Sequence, residues 1–384
     1  MNLVVHFRKA VLLTAFFFLF TGELWSQIDR LGLWVIRDQL TSAEKIDSVV
    51  EFAQKNGFTD LFVQVRGRDD AFYNSRKIRK SRLITQSDFD PLKYVLDQVK
   101  GKKIKVHAWV NVYLVWTSRK LPDKSHVIMK SPEWCAVDKD CNVADAVKRL
   151  DYLRKKREGI YLSPLVPEVT EYLFLVMKEL IDNYSIDGLH FDYIRYANGN
   201  YDYNAIGRFR FKRMYGFDPL LFTLSSKDFL KGLDEDILDT LKVRWNEFLR
   251  EGVTNFVFRV RRYVNTSGKE VLLSAAVKPD PFEAKNYYYQ DWVKWLKLGY
   301  LDFVVPMNYV ADMVKFKKNL STIFQSTEGR GVWMGIGVYN QSGIDAGLKT
   351  RLAIEEGFSN IVYFSYKYLV DKRYILSFVR EFKN

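Results

Sequence analysis

The sequence predicts an α/β protein, a single (β/α)₈ TIM barrel over residues 27–384 with long loops after its third and fourth strands. Three observations predict it. Apolar runs of strand length alternate with segments of helical period, which is the signature of parallel βαβ units. Eight such runs fit between residues 31 and 364, and eight strands close a parallel barrel. The first βα turn reads Arg37-Asp38-Gln39-Leu40, without the glycines that mark an open, doubly wound nucleotide-binding sheet.

Residues 31–36 are the first strand. Thr41-x-x-Glu44 then reads as a capping box, opening a helix whose Ile46, Val49, Val50 and Ala53 share one face. Gly57 ends that helix, and 58–65 is the second strand. Asp90-Pro91 opens the next helix, with Leu92, Val95, Leu96 and Val99 as its inner stripe, and 105–112 is the third strand. A long connection follows, holding Cys135, Cys141 and a charged stretch through Glu158; connections of that length are uncommon unless functional. Pro167 sits in the first turn of a helix through Tyr184, with Val169, Leu173, Val176 and Leu180 on one face. The fourth strand is 188–191, ending at Asp192. A second long connection runs to about Asp239 and a helix near 242–263, which buries Trp245, Phe248, Leu249, Phe256 and Val260. Strands five to eight are 271–277, 302–306, 332–337 and 360–364, and helices near 288–298 and 345–355 separate the last ones.

Ahead of the barrel, Arg8 and Lys9 precede an apolar run from 10 to 20, and Leu24-x-Ser26 offers a cleavage signature before Gln27. This is the layout of a secretory signal peptide, residues 1–26, and it is short for a bilayer span. An uncleaved membrane anchor is the alternative. The expected location is secreted or periplasmic. There an oxidising setting would suit a Cys135–Cys141 disulfide, with two free thiols as the other reading. Net charge is +13, which favours acidic partners such as nucleic acid, anionic lipid or an acidic envelope polymer. The lysines and arginines are spread along the chain without a basic arm, so nucleic acid is not expected and envelope association stays open. Aromatic residues make up 16%, a surplus that serves either a core or a groove stacking on sugar rings.

A barrel's active site lies at the C-terminal ends of its strands. Period two on strand four puts His190 and Asp192 on one side, with Leu189 and Phe191 facing outward. A carboxylate at that end is costly to desolvate, and glycosidic hydrolysis is a chemistry that needs one. The structural alternative is an Asp192 paired with Arg195. Gln64 and Arg66 share a face at the end of strand two, with Asp70 close behind; the cluster either grips hydroxyls and orients Asp192 or is a salt-bridged loop. Strand three offers His107, Trp109 and Asn111 on one face, Trp109 being either a sugar-stacking ring or a core plug. Asn308 and Tyr309 reach the same rim from strand six. His107, His126 and His190 lack the H-x-H and HExxH spacings of metal hydrolases, and phosphate-binding glycine loops and a G-x-S-x-G elbow are missing. No metal or other cofactor is expected.

Five segments in order, 61–73 (LFVQVRGRDDAFY), 107–111 (HAWVN), 164–169 (PLVPEV), 187–196 (DGLHFDYIRY) and 305–309 (VPMNY), resemble the glycosyl-hydrolase-like family ten barrels, formerly a bacterial domain of unknown function. The resemblance runs from about Arg30 to the C-terminus, and the Asp-Gly-x-His-Phe-Asp strand is its most specific part. It implies an envelope enzyme with a sugar-polymer substrate, one member cleaving peptidoglycan glycan strands stripped of their stem peptides. It also implies Asp192 as the strand-four acid, with Arg66, Asp70, Asn111, His190 and Tyr309 at other strand-end positions. Two positions depart: members often carry a second Asp where this chain has Tyr193, and Asp69 stands where Gly is common. A two-carboxylate mechanism needs a second acid. Asp280 and Glu283, after the adjoining strand five, lead as candidates, with Asp70 next. A chitinase-type Asp-Gly-x-Asp-x-Asp-x-Glu run would need acids where His190 and Ile194 stand. The expected function is therefore an exported glycoside hydrolase acting on a polysaccharide, with peptidoglycan glycan strands as one such substrate and Asp192 as acid or nucleophile. The competing readings are a non-catalytic carbohydrate-binding barrel and a metal-assisted ester or amide hydrolase. Oligomeric state has no signature in the sequence.

Overall fold

The computed structural model describes residues 28–118, 120–139, 158–223 and 234–371. Residues 1–26, expected to be a signal peptide, and Cys141, with its expected disulfide, lie outside the described residues. Eight parallel strands form the barrel: β1 (Arg30–Val35), β2 (Asp60–Arg66), β3 (Lys105–Asn111), β4 (Gly188–Asp192), β5 (Leu272–Val277), β6 (Phe303–Pro306), β7 (Met334–Gly337) and β8 (Asn360–Phe364). Neighbours pair in the order β6-β5-β4-β3-β2-β1-β8-β7. The ring closes between β6 and β7 through parallel bridges, Val304 to Val332 and Met307 to Gly335.

The helices that follow the strands are α1 (Ala43–Lys55), α2 (Pro91–Val99), α3 (Pro167–Asn183), α4 (Glu235–Thr266), α5 (Trp292–Lys297), α6 (Met313–Thr327), α7 (Gly343–Glu355) and α8 (Tyr366–Asp371). Several begin as the sequence predicts: Asp90 accepts from Lys93 N and caps α2, and Pro167 occupies the first turn of α3. The expected capping box at Thr41 does not form. Residues Arg37–Leu40 make a 3₁₀ turn, the Thr41 hydroxyl donates to the Asp38 carbonyl, and Ser42 becomes the N-cap of α1. The helix expected near 242–263 starts at Glu235, capped by Asp234. The one expected near 288–298 is the shorter α5, preceded by a separate helix at Pro281–Tyr287 that was not expected. Helix Ala205–Tyr215, inside the loop after β4, and α6 were not anticipated.

Alternation along the strands sorts the side chains into two cores. Outward residues such as Leu189 and Phe191 join the large shell packed under the helices. Inward residues Trp34, Phe62, Trp109, Ala276, Phe303, Val305, Trp333 and Val362 plug the lumen. At its floor Phe303 and Trp333 stack at 4.1 Å, and Phe62 stacks on His107 at 4.6 Å. This plug forces any ligand to the top of the barrel, where the strands end.

Candidate active site

The mouth of the barrel holds a cavity of about 740 Å³, and Asp192 lines it from the end of β4. Asp192 is 8% exposed. One carboxylate oxygen accepts from the Tyr193 backbone N–H at 2.7 Å, the other from Trp109 Nε1 at 3.1 Å. Burial pushes its carboxyl up to about 6, against the opposing pull of these hydrogen bonds and of Arg195. Tyr193, directly after it, holds a left-handed backbone (φ 50°), rare for a residue with a side chain. That turn aims its N–H back at the Asp192 carboxylate.

Arg195 does not pair with Asp192. Its guanidinium, buried at 3% exposure, donates from the single nitrogen Nη2 to both Glu158 oxygens at 2.8 and 3.1 Å and is ringed by Tyr193 and Tyr288 at 5.1 and 5.0 Å. Glu158 also accepts from the Tyr161 hydroxyl at 2.6 Å. Burial would raise the Glu158 carboxyl, but Arg195's charge and these bonds outweigh it and hold it below the ordinary glutamate value. Glu158 lines the cavity with Asp192, so two acids with oppositely displaced affinities for a proton share one site.

Trp109, Asn111, Tyr309, Asp280 and Glu283 also line the cavity, as expected. Trp109 serves as an orienting donor as much as a wall. Asn111 bridges Gln64 and the Gly67 carbonyl at 3.2 and 3.1 Å. Tyr309 lies against Phe364 at 5.4 Å, and its buried hydroxyl has no partner among the described residues. Asp280 turns one oxygen to the Phe282 and Glu283 N–H groups as a helix cap, and Glu283 is exposed.

Five expected site residues lie elsewhere. Arg66 is sealed beneath the loop after β2, paired with Asp69 at 2.7 Å and bonded to the Asn111 carbonyl, because the strand bulges between Gln64 and Arg66 and breaks the alternation. Asp70 braces that loop, accepting from Arg68 N and the Ser81 hydroxyl. His107 is too near the start of its strand to reach the mouth and pairs with Asp60 at the floor, at 2.9 Å. His190 sits one layer below Asp192, hydrogen-bonded to Ser274 at 2.8 Å; burial lowers its proton affinity well below the usual value and keeps it neutral. Asn308 bonds Asn319 and the Phe316 carbonyl behind the wall. The sequence reading missed Glu158, Arg37, Arg68 and Lys278, all on the cavity wall. Arg37 and Lys278 directly follow strands, so the strand-end rule could have found them. Glu158 had only the length of its loop as a signal.

The Asp187–Asp192 strand, with its acid on a buried, tunable carboxyl, can be set beside known proteins. Residues 25–340 match the model of the family described as Glycosyl hydrolase-like 10. The chain belongs to that family. Among curated relatives of this glycosyl hydrolase-like family, Glycosyl hydrolase DigH of Escherichia coli K12 is 26% identical over 40% of this chain and 34% of its own length. Glycosyl hydrolase YngK of Bacillus subtilis is 23% identical over 73% of this chain and 51% of its own. The chain thus spans about half or less of these relatives. Among solved structures, the PgaB (BpsB) glycoside hydrolase domain of Bordetella bronchiseptica superposes with a TM-score of 0.67 at 12% identity, covering 91% of this chain and 97% of that one. The β-amylase catalytic domain of Paenibacillus polymyxa gives 0.60 at 11% identity, over 92% and 97%. These neighbours share the barrel fold with this member of the Glycosyl hydrolase-like 10 family.

Proposed function

We propose that the protein cleaves glycosidic bonds within a polysaccharide seated across the barrel mouth, with peptidoglycan glycan strands as the substrate and Asp192 as the general acid. The single observation that carries this is the buried Asp192 carboxyl on the cavity wall at the end of β4, where burial pushes it up to about 6. A carboxyl of that affinity still holds a proton at mildly acidic pH and can release it to a leaving oxygen. Glu158 is the second carboxylate, in preference to Asp280 or Glu283. It is ionised and fixed by Arg195 and Tyr161, whereas Asp280 caps a helix and Glu283 has no such clamp among the described residues.

In this reading Asp192 protonates the glycosidic oxygen as its bond to the anomeric carbon breaks. Glu158 faces the positive charge that develops there. Water then adds to the anomeric carbon and its proton passes to the ionised carboxylate, leaving a hemiacetal and an alcohol. Trp109 holds the acid's orientation and offers a flat apolar face beside it. Segment 1–26, acting as an export signal, would deliver the enzyme to such a polymer.

The test incubates purified protein with peptide-free peptidoglycan glycan strands and with other defined glycans, alongside Asp192→Asn and Glu158→Gln and a chelator control. Cleavage by wild type, lost about 10²–10⁴-fold in each variant and indifferent to chelation, supports the proposal. Binding by wild type and variants alike without products would show a lectin-like barrel instead. Loss on chelation would point to metal-assisted chemistry.

A further inference from the structure

We propose that Arg37 and Arg68 form an anion-recognising subsite beside Asp192, which takes the carboxylate of an acidic sugar residue in the substrate. The proposal rests on the reading of this cavity as a glycan-cleaving site. Arg37 follows β1 and Arg68 lies two residues past β2, so adjacent strands deliver two guanidinium groups to one wall of the cavity. Arg37 is held there by the shape of its neighbour. A Cβ on Gly67 would lie 1.7 Å from Arg37 Nη1, so the guanidinium occupies the space that a side chain at residue 67 would need.

The charges on this wall are unspent. Neither Arg37 nor Arg68 forms an ion pair with a carboxylate among the described residues, whereas Arg66 is paired with Asp69 and Arg195 with Glu158. Asp70, the acid that acts most strongly on Arg37, already accepts from Arg68 N and from Ser81. The buried Arg68 Nε has no hydrogen-bond partner. Burial lowers Arg37's hold on its proton; Asp70 and Asp38 act on it through space and offset this in part, while the neighbouring Arg68 charge adds to it. Two like charges facing a cavity repel, and an oxyanion between them converts that repulsion into charge-assisted hydrogen bonds.

Position ties the subsite to catalysis. Arg37 lies near enough to the Tyr193 ring for each to act on the other's charge, and Tyr193 directly follows Asp192. The acids Glu158, Asp280 and Glu283 come from the loop before α3 and the end of β5, across the mouth from β1 and β2. Arg195 and Lys278 also reach the cavity on that far side, but among those acids. A carboxylate-bearing sugar therefore meets uncompensated guanidinium charge at Arg37 and Arg68, which favours one orientation over Asp192. A neutral glycan gains nothing from this segregation.

The test uses the full chain and changes the substrate first, so no variant has to fold. Wild type is assayed on peptide-free glycan strands, which carry lactyl carboxylates, on the same strands with those carboxylates reduced to alcohols, and on a uronic-acid oligomer. Reduction is expected to raise KM about 10-fold or more, the scale of a lost charge-assisted pair. In Arg37→Gln and Arg68→Gln the KM values for native and reduced strands should converge. Calorimetric binding to Asp192→Asn repeats the comparison without turnover. If acidic and reduced strands are cleaved and bound equally, the subsite is overturned while the glycosidase reading stands. If nothing is cleaved yet binding still depends on the carboxylate and on Arg37, the subsite stands and the glycosidase reading falls. Carboxylate-dependent binding of the lactyl strand alone, or of the uronic-acid oligomer as well, supports the proposal and identifies which carboxylate it takes.

Discussion

At the scale of single residues, the site works by giving one carboxyl a poor environment for its charge. Among the described residues Asp192 has two donors, Tyr193 N–H and Trp109 Nε1, and burial dominates them. If Asp192 is the general acid, kcat/KM falls as pH rises through about 6, because the ionised form has no proton to give. A pH–rate profile with no alkaline limb in that region would remove Asp192 from the role. The same displacement has a stability cost of known sign. The folded state holds its proton more tightly than the unfolded chain, so the group favours folding at low pH and opposes it once pH exceeds the folded value. A shift from 3.8 to about 6 corresponds to at most about 3 kcal/mol above that pH. Asp192→Asn should therefore unfold at a higher urea concentration than wild type at pH 8, with the gap shrinking toward pH 4. An equal gap at both pH values would contradict the origin of the shift. Asp192 was legible in the sequence because strand period and strand end suffice to place it. Glu158 was not. Arg195 is three residues from Asp192, and only the folding of the loop after β3 decides that it takes Glu158 instead.

At the scale of elements, the Asp-Gly-x-His-Phe-Asp strand joins the barrel's floor to its mouth. Asp187 accepts from Val106 N at 2.8 Å and sets the start of β4 against β3. Gly188 pairs with His107, and a Cβ there would lie 2.1 Å from His107 Nδ1. His107 in turn stacks on Phe62 and holds Asp60, so the imidazole has no room to retreat. Gly188→Ala is expected to cost about 1–3 kcal/mol by overpacking, measured by urea unfolding, with loss of activity because Asp192 rides on the same strand. Unchanged stability would mean that the floor is looser than this packing implies. Element ends were harder to read than element existence. The bulge after Gln64 carries no sequence marker, yet it turns Arg66 from an expected ligand-binding residue into a brace. Asp69 adopts a left-handed backbone (φ 57°) and holds both Arg66 and the Tyr172 hydroxyl. Its side chain thus supplies a buried counter-charge that glycine could not.

For the whole molecule, eight apolar runs announced the barrel, but nothing in them told where its ring would be weakest. Chain order suggests the joint between first and last strands. That joint is sound: β1 pairs with β8 over four residues, Arg30 to Asn360 through Leu33 to Tyr363. The thin seam is β6–β7, where both strands are four residues long and pairing is reduced to isolated bridges. The backbone bonds there run from Val304 N to the Gly331 carbonyl and from Trp333 N to the Val304 carbonyl. Gly335 keeps the strands close, since a Cβ would lie 2.7 Å from the Pro306 carbonyl oxygen. Few cross-strand bonds mean a low local opening energy, and local openings set amide exchange. Hydrogen exchange should therefore be faster in peptides covering 303–307 and 332–337 than in those covering 61–66 and 106–111. Because Met307 and Tyr309 continue from β6 onto the cavity wall, a bound oligosaccharide that spans the mouth should slow exchange at this seam more than at β2 or β3. Equal protection across the free barrel would mean that the bridges are as strong as the full ladders. Seam protection unchanged by ligand would mean that the glycan does not reach the β6 side.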